Sequence, residues 1–140
     1  MNEQVLYKYS KMELKQFAIF EENLSPENNE LNYQTVVQFS YDKENRILCS
    51  KVVITAMQND KIVLKTDLRS YFDIASVSVE HLCQDNIICF PPALLVQFAS
   101  LCYGAARGII FERTQGSCLN DYILPPVYFG NLIDRAFTVQ

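Results

Sequence analysis

The sequence has no tryptophan, a single histidine and four glycines, and each scarcity narrows what the chain can do. With His81 alone, no histidine cluster can build a metal centre or a proton relay. Gly104 and Gly108 lie inside an apolar stretch instead of between a strand and a helix, and no GK[ST] follows them, so a phosphate-binding loop is absent. No two basic residues are adjacent, and the formal net charge is −4, so the electrostatic footprint of a nucleic-acid binder is missing. The five cysteines (Cys49, Cys83, Cys89, Cys102, Cys118) are odd in number and form no CxxC pair, which fits reduced thiols better than a disulfide framework. Residues 1–11 carry Glu3, Lys8 and Lys11 and lack the apolar core of a secretory signal, so the expected location is cytoplasmic.

One span invites a membrane reading, because residues 86–106 hold no charge and approach the ~20 residues needed to cross a bilayer. Pro91 and Pro92 divide it, leaving 93–106 as a stretch of core-helix length, so no membrane insertion is expected.

What is present is apolar surface. Of the 140 residues 49% are hydrophobic and 20% charged, enough to offset the entropy of ordering one domain over 1–140. An irregular first strand is expected at 12–21, with Phe17 and Ile19 on one side and Leu14, Ala18 and Phe20 on the other. Residues 22–32, with Ser25-Pro26 and Asn28-Asn29, have the chemistry of an exposed connection. The segment 33–41 alternates Tyr33, Thr35, Val37, Phe39 and Tyr41 against a mostly polar face. A β-branched run at 46–57 is apolar on both faces and should be the central strand. Asn59-Asp60 closes a hairpin into a fourth strand at 62–72, where Ile62, Leu64, Leu68 and Phe72 oppose Lys65, Asp67 and Arg69.

Beyond Ile74 the pattern turns helical. A short turn is expected at 77–84 and one long helix at 93–113, entered through Pro91-Pro92 and left at Gly116-Ser117. Ser100, Gly104 and Gly108 recur every fourth residue, a smooth stripe over which another backbone could pass closely. Leu94, Phe98, Leu101, Ala105 and Ile109 form a bulkier stripe beside it. After a loop at 118–126, a short terminal helix is expected at 127–137. The fold class is therefore α+β, a four-stranded antiparallel sheet followed by helices. One helical layer covers one sheet face, so the second apolar face of the 46–57 strand predicts an oligomer.

Catalysis would have to start from His81, with Ser78 before it and Asp85 after it, but no oxyanion site or activated nucleophile lies nearby in sequence. His81, Cys83 and Cys89 are one ligand short of a closed zinc site. The expectation is a protein that is not an enzyme, with no catalytic residue, metal or cofactor. Nine phenylalanines and eight tyrosines, more than a small sheet can bury, point instead to an apolar binding surface.

Three motifs occur in order: Phe90-Pro91, Arg107-Gly108 late in the long helix, and Pro126-Val127-Tyr128-Phe129. With 46–74 read as paired strands, residues 46–132 resemble SecB, the export chaperone family. The resemblance implies an ATP-independent chaperone for unfolded polypeptides, a homotetramer built as a dimer of dimers. It places Phe72, Phe90 and Phe129, with Tyr122 and Leu124 in the preceding loop, at a polypeptide-binding groove. It also places Leu64, Thr66 and Leu68 on the face joining the dimers, to which the Ser100, Gly104 and Gly108 stripe adds a second contact. The sequence departs from the family in three places. The region 107–126 is longer, the acidic carboxy-terminal tail is missing, and Lys65 stands where the SecA-binding surface carries an acid. That charge reversal disfavours the basic tail of SecA as a partner. A toxin–antitoxin-associated chaperone or a SecB-fold scaffold is the alternative.

Overall fold

The computed structural model describes every residue except 1–3, 26, 28, 29 and 123; the turn residues Pro26, Asn28 and Asn29 lie outside the described residues. Four strands, β1 (Tyr7–Ile19), β2 (Asn32–Asp42), β3 (Ile47–Gln58) and β4 (Lys61–Ile74), form an antiparallel sheet in the order β1-β4-β3-β2. The central position expected for the 46–57 run is the one β3 takes, between β2 and β4. Alternate residues from Leu48 to Gln58 point into the core, which is why the period-2 pattern was visible in sequence. The β3–β4 hairpin turns at Asn59 and Asp60, both at positive φ (53° and 62°), the left-handed pair that a two-residue turn of matching twist requires. The Gln58 side chain, buried at the end of β3, accepts from the Ser25 amide (2.5 Å) and donates to the Glu30 carbonyl (3.1 Å), which pins the connection before β2.

β1 begins five residues earlier than the expected start at residue 12 and differs in its faces. Its register on β4 shifts between Tyr9 and Lys11 and again between Leu14 and Gln16. Each extra residue reverses the side-chain parity. Leu14 therefore shares a face with Phe17 and Ile19, pairing with Leu68, Thr66 and Leu64 respectively, instead of opposing them.

A short helix α1 (Ser76–Leu82) leads into a hairpin of β5 (Cys83–Gln84) and β6 (Ile87–Phe90), turned at Asp85 and Asn86 with φ of 53° and 64°. Helix α2 (Pro92–Arg113, 22 residues) then crosses one face of the four-stranded sheet. Pro92 opens it where an amide would have no partner, and the Thr114 hydroxyl closes it by donating to the Ile110 carbonyl (2.7 Å). Leu94, Leu95, Phe98, Ala99, Cys102, Tyr103, Ala106 and Ile110 form its buried face. By length and composition α2 is apolar enough to cross a membrane, yet this face is packed on β3 and β4. Cys102 sits at its centre, and burial pushes its thiol up to about 11.

The terminal helix expected at 127–137 is not formed. A single 3₁₀ turn (Phe129–Asn131) is followed by irregular chain and by a strand β7 (Phe137–Val139) on β6, giving a second sheet β5-β6-β7. Gly130 and Asn131 are poor interior helix residues, and Phe137 gains more by stacking on Phe90 (5.9 Å between centroids, 19° between planes) than a free-standing helix would offer it.

Candidate functional site

The outward side of α2 carries no charge from Ala93 to Ala106; its charges, Arg107, Glu112 and Arg113, all lie in the last two turns. Gln97, Ser100, Leu101, Gly104, Gly108 and Phe111 are exposed, with Leu101 at 41% and Phe111 at 57% of full exposure. A methyl group added at Gly104 or Gly108 would meet nothing within 4 Å. Packing inside the chain therefore does not explain why these two helix positions lack side chains. Each glycine costs a helix interior about 1 kcal/mol relative to alanine.

Two apolar grooves run along the flanks of this face and meet at Gly108, which lines both. The first, about 470 Å³, lies between the edge strand β1 and α2, with Met12, Leu14, Leu68, Ala105 and Ile109 as its walls. Glu112 and Arg113 close one end, and the Arg113 guanidinium sits 5.4 Å from the centre of the Phe17 ring. The second, about 370 Å³, lies between α2 and the loop that follows it and is lined by Gly104, Arg107, Phe111, Tyr122 and Leu124, among others. The loop is tied back by Tyr103, whose hydroxyl donates to the Pro125 carbonyl (2.7 Å). Asn120 adds a second tie, its amide donating to the Phe111 carbonyl (3.1 Å) and to the Thr114 hydroxyl (3.2 Å). Burial raises the Tyr103 hydroxyl above its usual pKa, and the same cause raises Tyr33. Both grooves offer apolar walls with one or two charges at the margin, chemistry suited to holding an apolar side chain.

The residues expected at a binding groove separate into two sets. Tyr122 and Leu124 do come together, in the second groove beside Gly104 and Gly108. Phe72, Phe90 and Phe129 are fully buried within the chain and are core anchors. Phe72 stacks on Phe98 (4.4 Å, 27°), and Tyr7 and Tyr9 lie against it; Phe129 meets Tyr103 edge-on at 5.6 Å. The three β4 residues assigned to a contact between subunits are also corrected: Leu64, Thr66 and Leu68 face α2 and are buried inside one chain. The face they were expected to share with a second subunit is the one the helix covers, because the sheet's other face carries Lys51, Asp67 and Arg69. Of the candidate stripe, Ser100, Gly104 and Gly108 are exposed, the Ser100 hydroxyl donating to the Val96 carbonyl one turn back (2.7 Å). Met12 and Phe111 were missed by sequence reasoning. Phe111 lies seven residues after Gly104 and three after Gly108, a helical spacing that was visible, whereas Met12 depends on the register shifts of β1.

His81 is exposed near the end of α1, one turn after Ser78. Ser78 is buried and its hydroxyl accepts from the Leu6 amide (2.8 Å), which anchors β1 to α1. Among the described residues no group of three His, Cys, Asp or Glu side chains is placed to hold a metal ion.

No family model matches the chain, and no curated protein matches its sequence. Solved structures do. One is the SecB-like chaperone Rv1957 of Mycobacterium tuberculosis, in complex with a ChAD peptide from the Rv1956 HigA1 antitoxin. It superposes with a TM-score of 0.52 at 14% identity, over 86% of this chain and 90% of that one. A protein of unknown function from Streptococcus agalactiae matches with a TM-score of 0.41 and 14% identity, over 90% of this chain and 98% of its own. The four-stranded antiparallel sheet covered by one long helix is thus a SecB-like α+β fold.

Proposed function

We propose that this protein is an ATP-independent chaperone that holds non-native polypeptide segments along the outward face of α2 and in the two grooves beside it. The observation that carries this reading is the exposed helix face, apolar at Leu101 and Phe111 and open over Gly104 and Gly108, on a fold shared with a chaperone solved with a peptide bound. Apolar rings and methyl groups there would bind by area removed from water, about 1.5–3 kcal/mol for each large side chain fully covered. Holding a chain needs no bond to be made, which accords with the structural roles of Ser78 and Tyr103.

The same face suits assembly. We place one pairing contact of a homo-oligomer on Ser100, Gly104 and Gly108, where two helices could approach closely, instead of on β4, which leaves the flanking grooves to the client. Delivery to SecA is not part of the proposal, since the open sheet face presents Lys65, Lys51 and Arg69 beside Asp67. The exposed thiols Cys83, Cys89 and Cys118 fit a cytoplasmic location.

The test is suppression of aggregation of an unrelated denatured protein at near-stoichiometric ratio without ATP. The wild type should suppress it, and Leu101→Ser with Phe111→Ser should lose most of that activity while unfolding at the same denaturant concentration. Equal aggregation with and without the wild type would overturn the general chaperone. A dedicated-client chaperone is the second reading, favoured by the antitoxin peptide in the Mycobacterium tuberculosis structure. It expects no protection of unrelated proteins but tight binding of one partner.

A further inference from the structure

We infer that the outer edge of β6, with the aromatic platform beneath it, is a second binding site for an extended peptide segment, and that β7 is a displaceable cover lying in it. The inference rests on the chaperone reading for its purpose but not for its geometry.

β7 is three residues long and pairs only with β6, through Ile88 with Val139, Cys89 with Thr138 and Phe90 with Phe137. Outside that ladder, no ion pair or side-chain hydrogen bond among the described residues involves 134–139. Thr138 is exposed, and Phe137 and Val139 are half-buried. What holds the strand is ring contact. Phe137 stacks on Phe90 and lies 6.5 Å from Phe39, and on its other side Phe90 meets Tyr41 at 5.0 Å. So few contacts put β7 at the low-stability end of the molecule, where local opening is far easier than global unfolding.

When β7 leaves, two things are exposed together. The edge of β6 presents backbone groups with no partner, and Phe90, Phe39 and Ile88 lose the side chains above them. The occupant that satisfies both must be extended, to complete the ladder, and must carry an aromatic residue with an apolar one two positions on, as Phe137 and Val139 do. β7 already fills that specification, so the chain shows the ligand chemistry in its own sequence. Phe90 is then not an open groove residue but the floor of a site that its own chain closes.

The test uses a fluorescent peptide with the sequence of residues 134–140 as the probe, titrated by anisotropy into the wild type and into Phe137→Ala. Because the closed cover leaves only a fraction of molecules competent, the variant should bind the probe about tenfold or more tighter than the wild type. A probe with alanine in place of its phenylalanine should bind at least about tenfold more weakly to the variant. Equal affinity of wild type and variant, or of the two probes, would overturn the site. Should Phe137→Ala not fold, hydrogen exchange on the wild type decides. Excess probe should remove protection from the amides of 137–139 while those of 88–90 keep theirs, and unchanged protection at 137–139 sinks the inference. Aggregation suppression measured on the same samples separates the two ideas. Suppression without probe exchange removes only this site, and probe exchange without suppression removes only the chaperone reading.

Discussion

The two faces of α2 both carry apolar residues, and those residues have opposite fates. Inward, Leu94, Phe98, Cys102 and Ile110 are buried against β3 and β4; outward, Leu101, Gly104, Gly108 and Phe111 face solvent with no neighbour at the glycines. Apolar character therefore does not by itself tell which residues of the helix are core. What lies opposite decides: the inward residues meet the sheet, while Leu101 and Phe111 are left exposed.

The largest way to break this contrast is Phe98→Ala. The ring is fully buried and stacked on Phe72, so its loss should cost about 3–5 kcal/mol in urea unfolding. A cost below about 1 kcal/mol would mean that the inward face is not the core. Next comes pH. Burial raises the Cys102 thiol from 9.0 to about 11, so the native state keeps its proton where the unfolded state has lost it. That contribution is fully present below about pH 9 and is lost as pH rises towards 11, an order-of-magnitude 2–3 kcal/mol. Chemical denaturation across this range should show the loss, and Cys102→Ala should flatten it. If the wild-type and variant slopes coincide, the thiol does not carry the effect. The smallest change sharpens the outward side. Gly104→Ala or Gly108→Ala should stabilise an isolated chain by about 1 kcal/mol through helix propensity. If a second copy packs there, light scattering should at the same time show a lower mass. A variant with raised stability and unchanged mass would remove the helix from the assembly contact.

The same contrast explains what could be read from sequence. β2, β3 and β4 alternate over 11 residues or more and α2 is marked by a long apolar run between Pro91-Pro92 and Gly116, so their positions were legible to within a few residues. β1 was legible only in part, because two register shifts break its alternation and regroup Leu14 with Phe17 and Ile19. The hairpin of β5 and β6 is signalled by Asp85-Asn86 before Ile87-Ile88, a cue too short to stand without its partner strand. Of the residues expected at the site, Tyr122 and Leu124 line a groove beside Gly104 and Gly108 and Ser100 is exposed, while Phe72, Phe90 and Phe129 are buried in the core.

By itself the sequence determined the fold class: α+β, with a β-branched central strand and one long, largely apolar helix, because these follow from local pattern and from the positions of Pro91, Pro92 and Gly116. Only the tertiary structure decided which apolar residues are covered. It set Leu64, Thr66 and Leu68 beneath α2, and it turned residues 137–139 into a strand over Phe90 when a helix was equally consistent with their pattern. Burial is a property of what lies opposite a side chain in space, and for Phe90 that partner is Phe137, far along the chain.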